Sequence, residues 1–394
     1  MKIDFNNTEV AFASKSNADL NKAYILFKTI ASPTIVRMGE KMLTMALAVH
    51  FPINWAVKPT IYQHFVGGES IQDCNAAIRK LEEHNVKAIL DYSVEGKEEA
   101  DDIQMAFEET IRAIKNAGND ANIPFAVFKP TAMGRSVVLE KASLGLPMND
   151  VEKREEREFR HRIHELCKTA FEVDTPILID AEHSWYQNVI DEATNNEMAL
   201  FNKEKAIVFN TFQMYRRDRL DFLKKSYQMA IDGGYFLGAK FVRGAYMEME
   251  RERADKKGYP DPIQPNKEAT DRDYNAALKF CMDHIDKIKI FNGTHNEYST
   301  QYMIDMMEER GIAKDDDRCW FSQLYGMSDH ISFNVGKAGY NVAKYLPYGP
   351  VKHVMPYLLR RAEENTSAQG QSGRELSFIL TEKNRRKKAK ENIN

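Results

Sequence analysis

The sequence predicts an α/β protein built on a (β/α)8 barrel of the TIM type, and three observations lead to that prediction. From residue 86 onward, eight short apolar runs alternate with long amphipathic stretches. Most of the runs are too short for helices, are rich in β-branched and aromatic residues, and are bounded by Pro, Gly or Asp. No GxGxxG fingerprint occurs, which weighs against the alternative, an open doubly wound sheet.

The eight predicted strands leave room for a helix between each pair. They are VKAIL from Val86, PFAVFK from Pro124, PILID from Pro176, AIVFNTF from Ala206, GAKFV from Gly238, KIKIF from Lys287, CWFSQLY from Cys319 and NVAKYLP from Asn341. Helical patterns at residues 101–115, 217–231 and 298–309 lie between them. Strands separated by helices form a parallel sheet, and eight of them are enough to close it into a barrel.

The chain divides into three predicted segments. Residues 1–85 form an N-terminal helical extension, residues 86–371 the catalytic barrel and residues 372–394 a basic C-terminal tail. The long, highly charged connection at residues 247–274 predicts a mobile or solvated loop, with a lid as one reading. In the tail, apolar residues precede six basic ones, so either a solvated, frayed terminus or a peripheral contact with an anionic membrane surface fits.

Composition limits the classes of partner. With 394 residues, 43% of them hydrophobic, and a net charge of −3, the chain is a typical globular protein without a charge-based case for binding nucleic acid. Cys74, Cys167, Cys281 and Cys319 are far apart and lack metal-ligand spacing, which favours a reducing compartment. The N-terminus resembles neither a secretory signal nor a transit peptide. A cytoplasmic location is therefore expected, with peripheral contact to the inner membrane face left open.

Polar side chains follow nearly every predicted strand, and in a barrel this is where chemistry gathers. They are Lys129, Asp180, Glu182, Gln213, Lys240, Arg243, Thr294, His295, Gln323, Tyr325 and Tyr345. Several positive charges around one mouth suit an anionic ligand such as a phosphate-bearing cofactor. Asp180 amid these cations is expected to be a paired or catalytic carboxylate. The spacing of His161, His164 and Glu165 imitates a metal site, but their highly charged helix favours a solvated face, so no metal is predicted.

Two adjacent arginines, Arg360 and Arg361, follow an apolar run after the last strand, in YLLRRAEEN. Pairing with Glu364 on the surface of a helix is one interpretation. A paired guanidinium grip on a carboxylate or a phosphate is the other. Pro356 is expected to open this helix, which would place both arginines in its second turn.

Five motifs occur in order at these strand ends: LIDAE from Leu178, FVRGAY from Phe241, GTHN from Gly293, KYLPYGP from Lys344 and YLLRRAEEN from Tyr357. Together they resemble the proline dehydrogenase family over about residues 86–365. The resemblance implies a distorted (β/α)8 barrel that binds FAD, oxidises proline to 1-pyrroline-5-carboxylate and passes electrons to a membrane quinone. A separate pyrroline-5-carboxylate dehydrogenase is the partner expected for the next step.

The resemblance also implies roles for individual residues. Catalytic positions match Asp180 and Lys240. Substrate positions match Lys129, Tyr345, Arg360, Arg361 and Glu364, with the arginines on the carboxylate and Glu364 orienting one of them. Positions that contact FAD match Ala181, Gln213, Arg243, Gly244, Ala245, Thr294 and His295.

Two positions bear on the details. Many bacterial members have arginine where this chain has Lys240, and lysine cannot form a fork, so its contact with the flavin ring differs. Tyr345 favours proline over hydroxyproline, because its ring fills the space that a 4-hydroxyl needs. The alternatives are a hydroxyproline dehydrogenase, a flavin-free barrel lyase or aldolase acting on a phosphorylated substrate, and a non-catalytic proline sensor.

Overall fold

The structure is a computed structural model that describes residues 2–48, 54–94, 98–367 and 371–392. All eight predicted strands are present. They are β1 (Lys87–Tyr92), β2 (Ala126–Phe128), β3 (Ile177–Ile179), β4 (Val208–Gln213), β5 (Leu237–Val242), β6 (Ile288–Gly293), β7 (Cys319–Leu324) and β8 (Val342–Tyr348). The apolar runs therefore identified every strand of the sheet, because each run is buried on both faces and reads as nearly continuous hydrophobic sequence.

The strands form one sheet in the order β1-β8-β7-β6-β5-β4-β3-β2. The pairs from β2 to β7 are parallel, and the central register places Thr211 of β4 opposite Lys240 of β5. Because β8 lies beside β1, the sheet curls into a nearly closed barrel, which confirms the predicted (β/α)8 architecture and excludes the open doubly wound sheet.

Helices precede β1 and fill the connections. They are α1 (Thr8–Ala11), α2 (Asn17–Ile30), α3 (Pro33–Ala48), α4 (Asn54–Val57), α5 (Gln63–Phe65), α6 (Asn75–Glu82), α7 (Ala100–Ala117), α8 (Ser136–Leu144), α9 (Asp150–Glu172), α10 (Ser184–Phe201), α11 (Arg219–Gly233), α12 (Met247–Lys257), α13 (Lys267–Asp283), α14 (Glu297–Glu309), α15 (Asp329–Lys337), α16 (Val351–Ser367) and α17 (Gln371–Glu391). Short 3₁₀-helices lie at Gln72–Cys74 and Pro130–Ala132, and a short π-helix lies at Lys58–Tyr62.

Local sequence explains where helices begin. Ser16 and Asp19 form a reciprocal capping box at the start of α2, and Asn149 and Glu152 do the same for α9. Close strand packing explains one glycine. A Cβ on Gly238 of β5 would lie 2.3 Å from the carbonyl oxygen of Val208, so a larger residue would push β4 and β5 apart.

The chain forms two compact units. The barrel unit comprises Met1–Lys2, Ile89–Tyr92 and Lys97–Ser322. The helical unit comprises Ile3–Ala88, Ser93–Gly96 and Gln323–Asn394. In the barrel unit, Phe125 packs edge-on against Phe291 and Trp320, with ring centroids 5.0 and 5.2 Å apart. The predicted boundaries at residues 85 and 371 stay predictions.

Two expectations about local structure were wrong. The charged segment after β5 is helical rather than a loop, since it contains α12 and the start of α13. Glu250 of α12 is fully buried and accepts hydrogen bonds from the Ser184 backbone N–H at 2.6 Å and hydroxyl at 2.5 Å, which fastens this helix. The last barrel helix, α16, begins at Val351 with Pro356 inside it, so Arg360 lies in the third turn.

The C-terminal tail is a packed helix rather than a frayed end. Phe378 and Ile379 of α17 are buried in the core of the helical unit. Arg385 and Arg386 both bind the fully buried Glu382, at 2.8 and 2.7 Å. Two of the apolar residues and two of the cations that the sequence offered for membrane contact are therefore used inside the fold.

Candidate active site

A charged cluster lies at the carboxyl-end side of the barrel unit, on residues from β2, β3 and β5. Asp180 follows β3, Lys129 follows β2, and Lys240 lies in β5. The Lys240 ammonium is 2.5 Å from Asp180 Oδ1, and the Lys129 ammonium is 3.4 Å from Oδ2. One carboxylate thus bridges two cations.

The electrostatics of this cluster follow from burial and proximity. Burial by itself raises the pKa of Asp180, but the ammonium groups of Lys240 and Lys129 outweigh it and hold that pKa below its usual value. Burial lowers the pKa of Lys240, and Asp180 opposes this shift. Asp180 is therefore ionised at neutral pH, and its charge is what keeps a buried lysine in place.

Sequence reasoning missed one member of the cluster. Asp91, the second-to-last residue of β1, accepts from the Lys129 ammonium at 3.3 Å and is buried. The strand-end pattern in the sequence could have identified Asp91, because this residue lies at the end of an apolar run, as Asp180 does. Glu182, which the strand-end pattern included, accepts from the Thr131 backbone N–H at 2.8 Å and hydroxyl at 2.7 Å, and so positions the turn after Lys129.

The end of β5 carries a firmly held guanidinium. Arg243 donates to Asp271 at 2.8 Å, to the Thr294 hydroxyl at 2.6 Å and to Ser299 at 3.1 Å. It also lies over the Tyr274 ring at 4.3 Å. These contacts join the ends of β5 and β6 and hold Arg243 beside Thr294.

The residue after Arg243 has to be glycine. Gly244 has φ +134°, and a Cβ there would lie 2.4 Å from the Tyr215 ring. Gly244 and Ala245 are exposed, while Ala181 and His295, at the ends of β3 and β6, are half-buried. An exposed, side-chain-free backbone beside a fixed guanidinium suits an anionic group such as a pyrophosphate.

Gln213, the last residue of β4, provides a test of whether this edge fits a cofactor. Its side chain is buried, and within the described part of the chain Oε1 has no hydrogen-bond partner. Buried carbonyl oxygens are normally satisfied, so this atom fits an N–H donor on a bound heterocycle. The residues present therefore suit a flavin nucleotide in their chemistry.

The other predicted substrate residues belong to the helical unit. Tyr345 is buried in β8, Arg360 is half-buried, and Arg361 is buried with its guanidinium 5.0 Å from the centroid of the Tyr357 ring. Gln323 accepts from the Ser332 hydroxyl at 2.6 Å. The predicted bracing role of Glu364 falls on a side chain outside the described residues.

Other sequence features have structural explanations. His164 Nδ1 lies 3.0 Å from Glu197, and all four cysteines are buried free thiols. Among residues 2–48, 54–94, 98–367 and 371–392, no group of three or more His, Cys, Asp or Glu side chains could hold a metal ion. Within those same ranges no helix is both long enough and apolar enough to cross a bilayer.

Known proteins match most of the chain. A family model described as proline dehydrogenase matches residues 74–374. Proline dehydrogenase 1 from Drosophila melanogaster is 40% identical over 252 residues, which cover 61% of this chain and 37% of that protein. Hydroxyproline dehydrogenase from Xenopus laevis is 29% identical over 414 residues, which cover 95% of this chain and 88% of that protein.

A solved structure supports the fold. Proline utilization A from Bdellovibrio bacteriovorus, inactivated by N-propargylglycine, aligns with a TM-score of 0.71 at 21% identity. The alignment covers 91% of this chain but 38% of that one, so this chain spans little more than a third of the fly and Bdellovibrio proteins. Because the family model covers more than half of the sequence, the chain belongs to the proline dehydrogenase family.

Proposed function

We propose that the chain oxidises L-proline to 1-pyrroline-5-carboxylate, with FAD as its cofactor and a quinone as electron acceptor. The observation that carries the proposal is the cluster of Asp180 between Lys129 and Lys240, at the strand ends of a chain in this family. Proline loses two hydrogens, one from C5 and one from nitrogen, and the quinone gains two as it becomes a quinol.

FAD supplies a two-electron acceptor for hydride when it is bound. The buried side-chain oxygen of Gln213 would accept a hydrogen bond from an N–H of the flavin ring system. Arg243 would neutralise the negative charge of the FAD phosphates. Thr294 and His295 follow β6 beside Arg243, and Ala181, Gly244 and Ala245 offer backbone and small side chains to the cofactor. Lys240, fixed by Asp180 at 2.5 Å, supplies a point charge rather than a fork.

The substrate is held through its charges. Arg360 and Arg361 bind the proline carboxylate, which fixes the orientation of the ring. Tyr345 packs against the ring and leaves no room for a 4-hydroxyl. Lys129 places a cation beside the substrate amine, which lowers the pKa of that amine and favours the neutral form needed for hydride loss.

The reaction partners follow from the same proposal. A separate pyrroline-5-carboxylate dehydrogenase takes the product, and the quinone brings the protein to the inner face of the cytoplasmic membrane as a peripheral contact. Exposed lysines of α17, such as Lys387 and Lys388, can still attract anionic lipid although the helix itself is packed.

One experiment tests the central claim. Purified protein should be yellow and should bleach when proline is added, and Arg360→Met should raise KM for proline by about 10- to 100-fold with flavin content unchanged, since a charge-assisted bond contributes about 1.5–3 kcal/mol. Arg154→Met, an exposed arginine of α9, is the matched control. An unchanged KM would refute the carboxylate assignment, and a colourless protein that releases no flavin would refute the proposed function.

Hydroxyproline oxidation is the second candidate, because the Xenopus hydroxyproline dehydrogenase matches 95% of the chain. Tyr345, buried in β8, favours proline. Steady-state rates with the two substrates separate the candidates. A Tyr345→Ser variant should gain hydroxyproline turnover relative to proline if this ring sets the preference.

A further inference from the structure

The helical unit contains a cavity of about 830 Å³ that the proposed chemistry of proline oxidation does not use. Its wall is formed by α2, α3, α6 and α16, with aliphatic side chains such as Leu26, Ile30, Val36 and Leu358. Protein interiors rarely contain voids much larger than one water molecule. A cavity of this size lies within the range of ligand pockets, about 300–1,000 Å³.

One end of the cavity is polar. Lys15, His64, Tyr325 and Asp329 line it. The Lys15 ammonium is 3.0 Å from Asp329, and since an ammonium carries three N–H donors, Lys15 can also donate to a ligand oxygen. His64 Nε2 donates to the Gly326 carbonyl at 2.9 Å.

His64 is neutral at physiological pH. Burial among the Phe27 and Phe65 rings, helped by the Lys15 charge, lowers the pKa of His64 to about 3. With Nε2–H committed to Gly326, Nδ1 of the neutral ring is an acceptor. The polar end therefore offers a donor for a carbonyl oxygen and an acceptor for a hydroxyl.

The mouth of the cavity is apolar. Ile25 and Ile35 both line it and are 63% and 45% exposed, so the cavity opens through an aliphatic rim. Met38, Met45 and Trp55, on α3 and α4, are also exposed. Such a rim suits a ligand that arrives from a bilayer rather than from water.

We propose that this cavity binds the prenylated quinone that accepts the electrons, with its chain along the aliphatic wall and its head at Lys15 and His64. The inference rests on the proposed function for its ligand. A quinone carbonyl accepts from Lys15, and the hydroxyl of the quinol donates to His64. The Asp329 carboxylate beside Lys15 disfavours a fatty acid, whose own carboxylate it would repel.

Gly39 of α3 gives a clean way to fill the cavity. It lines the cavity, and a Cβ added there meets nothing within 4 Å. Gly39→Phe should raise KM for a benzoquinone with two prenyl units by about tenfold or more, because overfilling one site costs free energy of this order. Proline-dependent reduction of dichlorophenolindophenol, a soluble dye, should be unchanged.

Gly373→Phe is the matched control, since Gly373 is also helical with nothing within 4 Å of an added Cβ and does not line the cavity. Gly39→Leu repeats the test with a smaller side chain if the phenylalanine variant binds less flavin. An unchanged quinone KM in a well-folded Gly39 variant overturns the inference. If the wild type reduces no dye with proline, it is the proposed function that fails.

Photolabelling gives a readout that does not depend on turnover. An azido-substituted prenyl benzoquinone should label peptides from α2, α3 or α16 of the flavin-loaded wild type, and Gly39→Phe should lose most of the label. Labelling confined to other peptides, or equal labelling of both proteins, overturns the inference.

Discussion

The barrel unit and the helical unit each contain one aspartate between two lysines, and the two clusters differ in how tightly they are held. In the barrel unit they are Asp180, Lys240 and Lys129; in the helical unit they are Asp329, Lys344 and Lys15. Asp329 has both cations at 2.9 and 3.0 Å. Asp180 has one at 2.5 Å and the other at 3.4 Å.

The lysines show the difference most clearly. Lys344 is 0% exposed, and its ammonium also donates to the carbonyl oxygens of Met327 at 2.5 Å and Leu324 at 3.3 Å, so it fastens the loop after β7 to β8. Lys129 is partly exposed, and both of its carboxylate contacts are 3.3 Å or longer. The same arrangement of one aspartate between two lysines thus stabilises the fold where one lysine, Lys344, is fully buried and bound to backbone carbonyls, and suits a ligand where one lysine, Lys129, is partly exposed.

The largest expected effect is on stability, in the helical unit. Asp329→Asn should lower the free energy of unfolding by about 3–5 kcal/mol, because it leaves a fully buried lysine without its counter-charge. Urea denaturation followed by circular dichroism measures it. A loss of under about 1 kcal/mol, the range of exposed ion pairs, would mean that this cluster does not stabilise the fold.

The equivalent change in the barrel unit should act on turnover instead. Asp180→Asn is expected to reduce kcat for proline by about 100-fold or more, since the point charge of Lys240 is no longer positioned. Its stability loss should be smaller than that of Asp329→Asn, because a second carboxylate, Asp91, still offsets the charges of Lys129 and of the buried Lys240. Equal stability losses in the two variants would remove the distinction between the clusters.

A third change concerns substrate protonation. Lys129→Met should move the acidic limb of the pH profile of kcat for proline, which reports groups in the enzyme–substrate complex, upward by about one unit, because the cation that disfavours the protonated amine is gone. Lys15→Met, the counterpart in the helical unit, should leave this limb in place. A shift in both variants would point to a general change in the fold.

The smallest effect is the acid dependence of stability. Neighbouring lysines outweigh burial and hold the pKa values of Asp180 and Asp329 below 3.8, the usual value for aspartate. Each carboxylate therefore contributes stability above about pH 4 and loses it as the pH falls through the folded-state pKa. Between pH 5 and pH 3 the wild type should lose stability more steeply than Asp329→Asn, measured as melting temperature.

The strand pattern and the strand-end chemistry were predictable from sequence because both are local. A strand buried on two faces reads as a short apolar run, and parallel strands bring their carboxyl ends to one edge, so Lys129, Asp180 and Lys240 could be grouped before any coordinates. The same logic would have found Asp91, which directly follows the predicted strand VKAIL.

What the sequence by itself determined was the eight-stranded barrel, its site-bearing edge and the family. Tertiary structure alone decided that the charged segment after β5 is a helix fastened by the buried Glu250, that α17 is part of a core, and that Asp329 joins Lys15 to Lys344. Lys15 is far along the chain from Asp329 and Lys344, so no periodicity links the three residues. Burial and ion pairing between distant residues depend on which surfaces pack together, and the local sequence does not specify that packing.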